Sequence, residues 1–140
     1  MNEEIISKAN QIISKKIGGG NHGFCTLALI GADGYPTTST ISISKAEGIK
    51  WLTFCTSIDS KFERIDHCNK ASVCINCEDY HLSLVGTIEQ LTDSDIKKEM
   101  WYSGLESHFK GYDDPNYCVL KFTTERYNLL IDWQEAKGRL

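Results

Sequence analysis

The chain has 140 residues, 41% hydrophobic and 24% charged, with a net charge of −4 at pH 7. These are ordinary globular values that exclude a disordered or fibrous chain, and the length fits one domain, so residues 1–140 are expected to share one core. Lys and Arg are scattered and outnumbered by Asp and Glu, which argues against the dense basic face a nucleic-acid partner requires but leaves room for a small anionic ligand.

Ile5, Ile6, Ala9, Ile12, Ile13 and Ile17 recur largely at steps of three and four, which predicts an amphipathic helix over 2–17 ended by Gly18-Gly19-Gly20. FCTLALI, ADGYP and TTSTISIS then read as two strands around an Asp-Gly turn. Ala46-Glu47-Gly48 makes a second turn before a strand from Lys50 to Cys55, and a polar cluster leads into a short helix holding Phe62 and Ile65. Ala71 to Cys77 and His81 to Leu91 are two more strands, with Gly86 as a bulge. Thr92-Asp93-Ser94-Asp95 reads as a helix cap, followed by Ile96, Met100, Trp101 and Leu105 at helical spacing. Asp113-Asp114-Pro115 makes a turn, and Tyr117 to Thr123 and Tyr127 to Trp133 read as the final strands. Six or seven short strands in local hairpins, with helices early, midway and late, predict a mainly β fold: an antiparallel barrel with flanking helices.

No stretch approaches the roughly 18–20 apolar residues of a membrane span, and the amino terminus lacks a signal-peptide pattern, so a cytoplasmic protein with no membrane partner is expected. The six cysteines are read as mostly reduced and buried, because a chain of this length has core enough without disulfides. Gly18 to Gly23 matches G-x-G-x-x-G, but a dinucleotide site needs a strand before it and a helix after it, and here the order is reversed. Cys74-Ile75-Asn76-Cys77 is a C-x-x-C, yet residues three apart on a strand point to opposite faces. No second such pair follows, and His22, His67, His81 and His108 show no ligand spacing, so no metal site is expected. No sequence of a catalytic triad, zinc protease or Walker A loop appears.

WLTFCTSIDSKFERI, residues 51–65, stands apart. An apolar strand runs into hydroxyls, then a helix start with Lys61 and Arg64, and two readings stand on the residues alone. Asp59 or Ser60 caps a surface helix, or backbone amides, hydroxyls and cations converge on a phosphate.

Four segments in chain order carry a resemblance: TLALIGADGYP, WLTFCTSIDSK, LSLVGTIEQLTD, and MWYSGLESHFKGYDDPNYCVLKFTTER. From Thr26 to Arg126 the chain resembles the pyridoxamine 5′-phosphate oxidase-like FMN-binding split barrels, and within them the short bacterial group related to general stress protein 26. The resemblance implies a split β-barrel, a homodimer, and FMN at the subunit interface. It places Thr53, Phe54, Cys55 and Thr56 along the flavin and Ser60 and Lys61 at its phosphate. A second row of contacts comes from the strand after the Asp-Gly turn, including Ser39 and Thr40, and from His81. The chain departs from the family in four places. Ser39 stands where many relatives carry an arginine, Ser60 and Lys61 are adjacent where the family usually separates them, Leu84 replaces a valine, and Trp133 lies near but not at a common tryptophan position close to Leu130.

The function implied is a flavoprotein oxidoreductase moving electrons or hydride through FMN, with NAD(P)H or another small-molecule reductant as donor. Oxidation of vitamin B6 itself is not expected, because the true oxidases are longer and end in a substrate-binding segment absent before Gly138-Arg139-Leu140. The alternatives are a non-enzymatic flavin- or heme-binding stress-response protein on the same fold, and a thiol redox or zinc protein resting on Cys74 and Cys77.

Overall fold

The computed structural model describes residues 2–18 and 23–140. Helix α1 (Asn2–Ser14) precedes strands β1 (Phe24–Ile30), β2 (Pro36–Glu47) and β3 (Trp51–Ser57). Helix α2 (Ser60–His67) leads into β4 (Lys70–Asn76) and β5 (Tyr80–Leu91). Helix α3 (Ser94–Met100), a 3-10 turn (Leu105–Ser107), β6 (Tyr117–Ile131) and β7 (Gln134–Arg139) complete the chain. The strands pair antiparallel in the order β3-β2-β1-β4-β5-β6-β7, and β3 also pairs with β6, which closes six strands into a barrel. The antiparallel barrel with helices packed on it is therefore present.

Period-two alternation decides what fills it. Leu27 and Leu29, Ile41 and Ile43, Leu52 and Phe54, Val73 and Ile75, and Leu82 and Leu84 point inward and form one core with Ile5, Ala9 and Ile13 of α1 and Ile65 of α2. β3 is also covered on its other side: Cys55 joins Leu105, Phe109, Tyr117 and Val119 in a second cluster, with Met100, Trp101 and Tyr102 against it. Burial on both faces is why WLTFC reads as an apolar run interrupted only by Thr53 instead of an alternation.

α1 is shorter than its sequence pattern. The buried ridge ends at Ile13, the Lys16 amide closes back on the Ile13 carbonyl at 2.9 Å, and Ile17 is left exposed. The Gly-rich segment beyond Gly18, with His22, lies outside the described residues. Gly48 has φ +53, and a Cβ there would collide with the Asn10 side chain, whose Oδ1 accepts the Ile49 amide at 2.9 Å. The late helix stops at Met100, since Trp101 turns extended at φ −63, ψ 136, and Leu105 belongs to the separate 3-10 turn.

The two final strands predicted from sequence are one strand, β6, and a further strand, β7, follows. Inward residues of β6 are even-numbered at Cys118, Leu120 and Phe122 and odd-numbered at Tyr127, Leu129 and Ile131. Val85 pairs with Arg126 but Gly86 with Thr124, so Glu125 is an extra, bulged residue that switches the parity. The polar T-T-E-R run thus marks a bulge, not a turn. A Cβ on Gly86 would strike the Thr123 carbonyl oxygen. Asp132 and Trp133 form a two-residue hairpin turn with φ +52 and +66, where Asn-Gly is the usual signal; without a glycine, the turn and β7 are hard to see in the sequence. One edge of β6 follows β5 over 119–131, while the other serves β3 over 117–123 and β7 over 126–131.

Candidate functional site

Asp59 caps α2 in extended conformation, φ −142, ψ −159, and its Oδ1 accepts the Lys61 amide at 2.9 Å. Its Oδ2 holds Lys61 Nζ at 2.8 Å, with the Lys61 side chain only 14% exposed. Burial opposes ionisation of Asp59, but the Lys61 hydrogen bonds and the charges of Lys61 and Arg64 outweigh it and hold the carboxyl below its ordinary range. Asp59 therefore is the cap of α2, and it draws Lys61 into an ion pair rather than leaving it solvated.

Arg64 lies one helical turn on. Its Nη1 donates to Thr37 Oγ1 on β2 at 2.9 Å and its Nη2 to Ser60 Oγ at 3.4 Å, while Nε is buried with no partner among the described residues. Thr37, Ser60 and Arg64 border a cleft of about 390 Å³, with Asp33 and Glu63 also at its rim. Ser39 is half-buried on the same side of β2 as Thr37, so at the position where relatives carry arginine the chain has a small hydroxyl two residues from the one that anchors Arg64.

A larger cleft, about 530 Å³, lies against the last residues of β3 and is bordered by Thr40, Cys55 and Thr56, with Tyr102, His108 and Phe109 also lining it. Its volume falls within the range of small-molecule sites. Cys55 Sγ donates to the Met100 carbonyl at 3.3 Å and lies 3.4 Å from Tyr117 Oη. Burial pushes the Cys55 thiol up, so it sits in the cleft as a neutral group. Thr53 and Phe54 are fully buried: the Thr53 hydroxyl lies 2.6 Å from Ser44 Oγ and accepts the Lys45 amide at 3.1 Å, and the Phe54 ring fills the barrel core.

His81 lines a third cleft, about 160 Å³, with Tyr80, Cys77 and Trp133. Its Nδ1 is 3.9 Å from Cys74 Sγ. Cys74 is half-buried on β4, and Cys77 is exposed past the strand's end. The structure thus groups Thr40, Cys55 and Thr56 in one cleft and Ser60 with Arg64 in another, with Lys61 paired beside it, and places His81 apart. Tyr102 and His108 carried no signal in the sequence, because the segment that brings them over β3 has no periodicity.

The sequence model of the pyridoxamine 5′-phosphate oxidase family matches residues 17–131. The chain belongs to that family. Within it the barrel is the family's split barrel, and the structure resembles several solved ones. A protein from Clostridium acetobutylicum related to general stress protein 26 of Bacillus subtilis is 26% identical, with a TM-score of 0.87 over 100% of this chain and 97% of that one. An FMN-binding protein from Nostoc punctiforme related to pyridoxamine 5′-phosphate oxidase is 14% identical, with a TM-score of 0.66 over 99% and 93%. A heme-binding protein from Mycobacterium smegmatis is 14% identical, with a TM-score of 0.72 over 96% and 57%. No curated protein matches the chain. Among the described residues no helix is long and apolar enough to cross a membrane.

Proposed function

We propose that this member of the pyridoxamine 5′-phosphate oxidase family is a homodimeric, cytoplasmic flavoprotein that binds FMN and transfers electrons or hydride through it. One observation carries the reading. Arg64 is held by Thr37 and Ser60 at the start of α2, its buried Nε lacks a partner, and the 530 Å³ cleft opens from the strand that leads there. A guanidinium and hydroxyls are donors a phosphate takes, and they carry the site here because the Lys61 and Phe62 amides are already bonded to Asp59. Arg64 supplies the cation that Ser39 does not, and Asp59 keeps Lys61 close by. The ring would lie against Thr40, Cys55 and Thr56 under Tyr102 and Phe109, where a neutral thiol and aromatic faces exclude water without adding charge. When bound, flavin supplies one- and two-electron transfer, and the chain's residues hold and orient it.

Thr40 and His81 lie on strands three apart in the closed barrel, β2 and β5, and so on opposite walls of it. They therefore suit opposite halves of a symmetric interface, each flavin taking Thr40 and Thr56 from one protomer and His81 from the other.

Purified protein that is yellow and releases FMN on denaturation supports the proposal, whereas colourless protein that takes up no added FMN overturns it. Anaerobic bleaching by NADH or NADPH separates an enzyme from a passive carrier. A second reading, heme in the same cleft, rests on His108 at its rim, since imidazole is a common axial ligand. A Soret band in place of flavin absorption would select it.

A further inference from the structure

On the outward side of β5, β6 and β7 lies a cleft of about 400 Å³ that shares no residue with those above. Arg126 of β6 and Arg139 of β7 are register partners there. The adjacent Leu140 amide donates to the Glu125 carbonyl at 2.9 Å. The two arginines therefore fall at a non-hydrogen-bonded position of the ladder, where facing side chains come closest. Lys137 leaves the same side of β7 two residues earlier.

Like charges directly opposite one another destabilise a sheet, and nothing nearby offsets these. Among the described residues neither arginine has an ion-pair or hydrogen-bond partner. Lys137 meets Glu135 at 3.7 Å, an exposed contact worth little. No Asp or Glu lines the cleft. Ser83 and Asn128, register partners on β5 and β6, add a hydroxyl and a carboxamide to its wall. Two guanidiniums on one face offer planar forks that match a tetrahedral oxyanion, and the three cations are too few for a nucleic-acid track.

We propose that this cleft binds a compact dianion, phosphate or the phosphate group of a small monoester, clamped between Arg126 and Arg139 and contacted by Lys137, Ser83 and Asn128. The site is independent of the flavin reading, since Arg64 and Lys61 take no part in it. Calorimetric titration of inorganic phosphate and of phenyl phosphate into the wild-type protein tests it at fixed ionic strength. A site present in wild type and retained in Arg64→Gln is expected, separate from any binding at Arg64, and weakened about tenfold or more in Arg126→Gln and in Arg139→Gln. Tighter binding of phenyl phosphate assigns the site to monoesters, and equal binding assigns it to free phosphate. Arg139→Glu, which converts the repulsive pair into an attractive one, is expected to raise the melting midpoint at low salt and abolish phosphate binding. No saturable binding in wild type, binding unchanged in both arginine variants, or loss only in Arg64→Gln overturns the proposal. So does a dimer that dissociates on Arg139→Gln while phosphate fails to bind, since a carboxylate of a second copy would then fill the clamp.

Discussion

Arg64 and Thr37 lie 27 residues apart in sequence and are joined by a 2.9 Å hydrogen bond from Nη1 to Oγ1. The guanidinium is aimed by β2 rather than by its own helix, so the register of the first hairpin sets where its charge sits. Arg64→Gln should weaken FMN binding by about 1.5–3 kcal/mol, the worth of a charge-assisted hydrogen bond. Lys61→Ala should cost less, because Asp59 already holds Nζ at 2.8 Å. Fluorescence titration of both variants checks the order, and a larger loss in Lys61→Ala would move the phosphate away from Arg64.

Asp59 couples the α2 cap to acid. Its folded pKa lies below the ordinary carboxylate value, so its contribution is fully present above that value, about 3.9, and is lost as pH falls through the lower folded pKa. Asp59→Asn keeps a capping oxygen but loses the charge that faces Lys61 and Arg64, so it should leave the protein less stable at pH 7, by about 1 kcal/mol or less. The gap should close below about pH 4. Urea unfolding of both proteins across that range reads it out, and a gap that widens on acidification would contradict the assignment.

Gly86 sits where β5 crosses the bulge in β6. A Cβ there would strike the Thr123 carbonyl oxygen and come 2.9 Å from its carbon, and backbone in a closed barrel cannot give way. Gly86→Ala should therefore destabilise by about 3 kcal/mol or more, measurable as a lowered urea midpoint.

Trp133 is 90% exposed at φ +66, so replacing it removes no burial and relieves a left-handed backbone. Trp133→Gly should raise stability by about 1 kcal/mol. A loss of stability in the isolated protomer would mean that the indole contributes a contact.

The six thiols should divide by burial. Cys25 and Cys118 are pushed up to about 12, burial being the largest cause for each, and Cys77 is exposed. A thiol reagent at pH 8 should label Cys77 first and reach Cys25 and Cys118 only after unfolding, as mass spectrometry of partly labelled protein would show.

Much of this architecture is legible in the chain because strand alternation is a local signal. Leu27 and Leu29, Ile41 and Ile43, and Leu82 and Leu84 announce their faces, and Asp33-Gly34 announces the first turn. The signal fails where geometry departs from period two. Glu125 inserts one residue and reverses the parity of β6, and Asp132-Trp133 turns a hairpin without glycine. The site divides the same way. Ser60 and Lys61 stand out as donors at a strand end, but the aim of Arg64 depends on the distant Thr37. The cleft wall of Tyr102 and His108 depends on an irregular segment packed over Cys55. That Thr53 spends its hydroxyl on Ser44 and Lys45 follows from the irregular register between Ile43 and Lys45, which no residue type advertises.

The pairing of β3 with β6 has a consequence for synthesis. Trp51 to Ser57 leave the ribosome more than fifty residues before their partners, Tyr117 to Thr123. Until those partners emerge, an apolar strand presents unpaired amides and carbonyls to any neighbouring chain. Barrel closure is thus the most non-local of the strand pairings and is slow by its sequence separation. A nascent chain stalled before residue 117 would be the form most prone to aggregate and most dependent on chaperones.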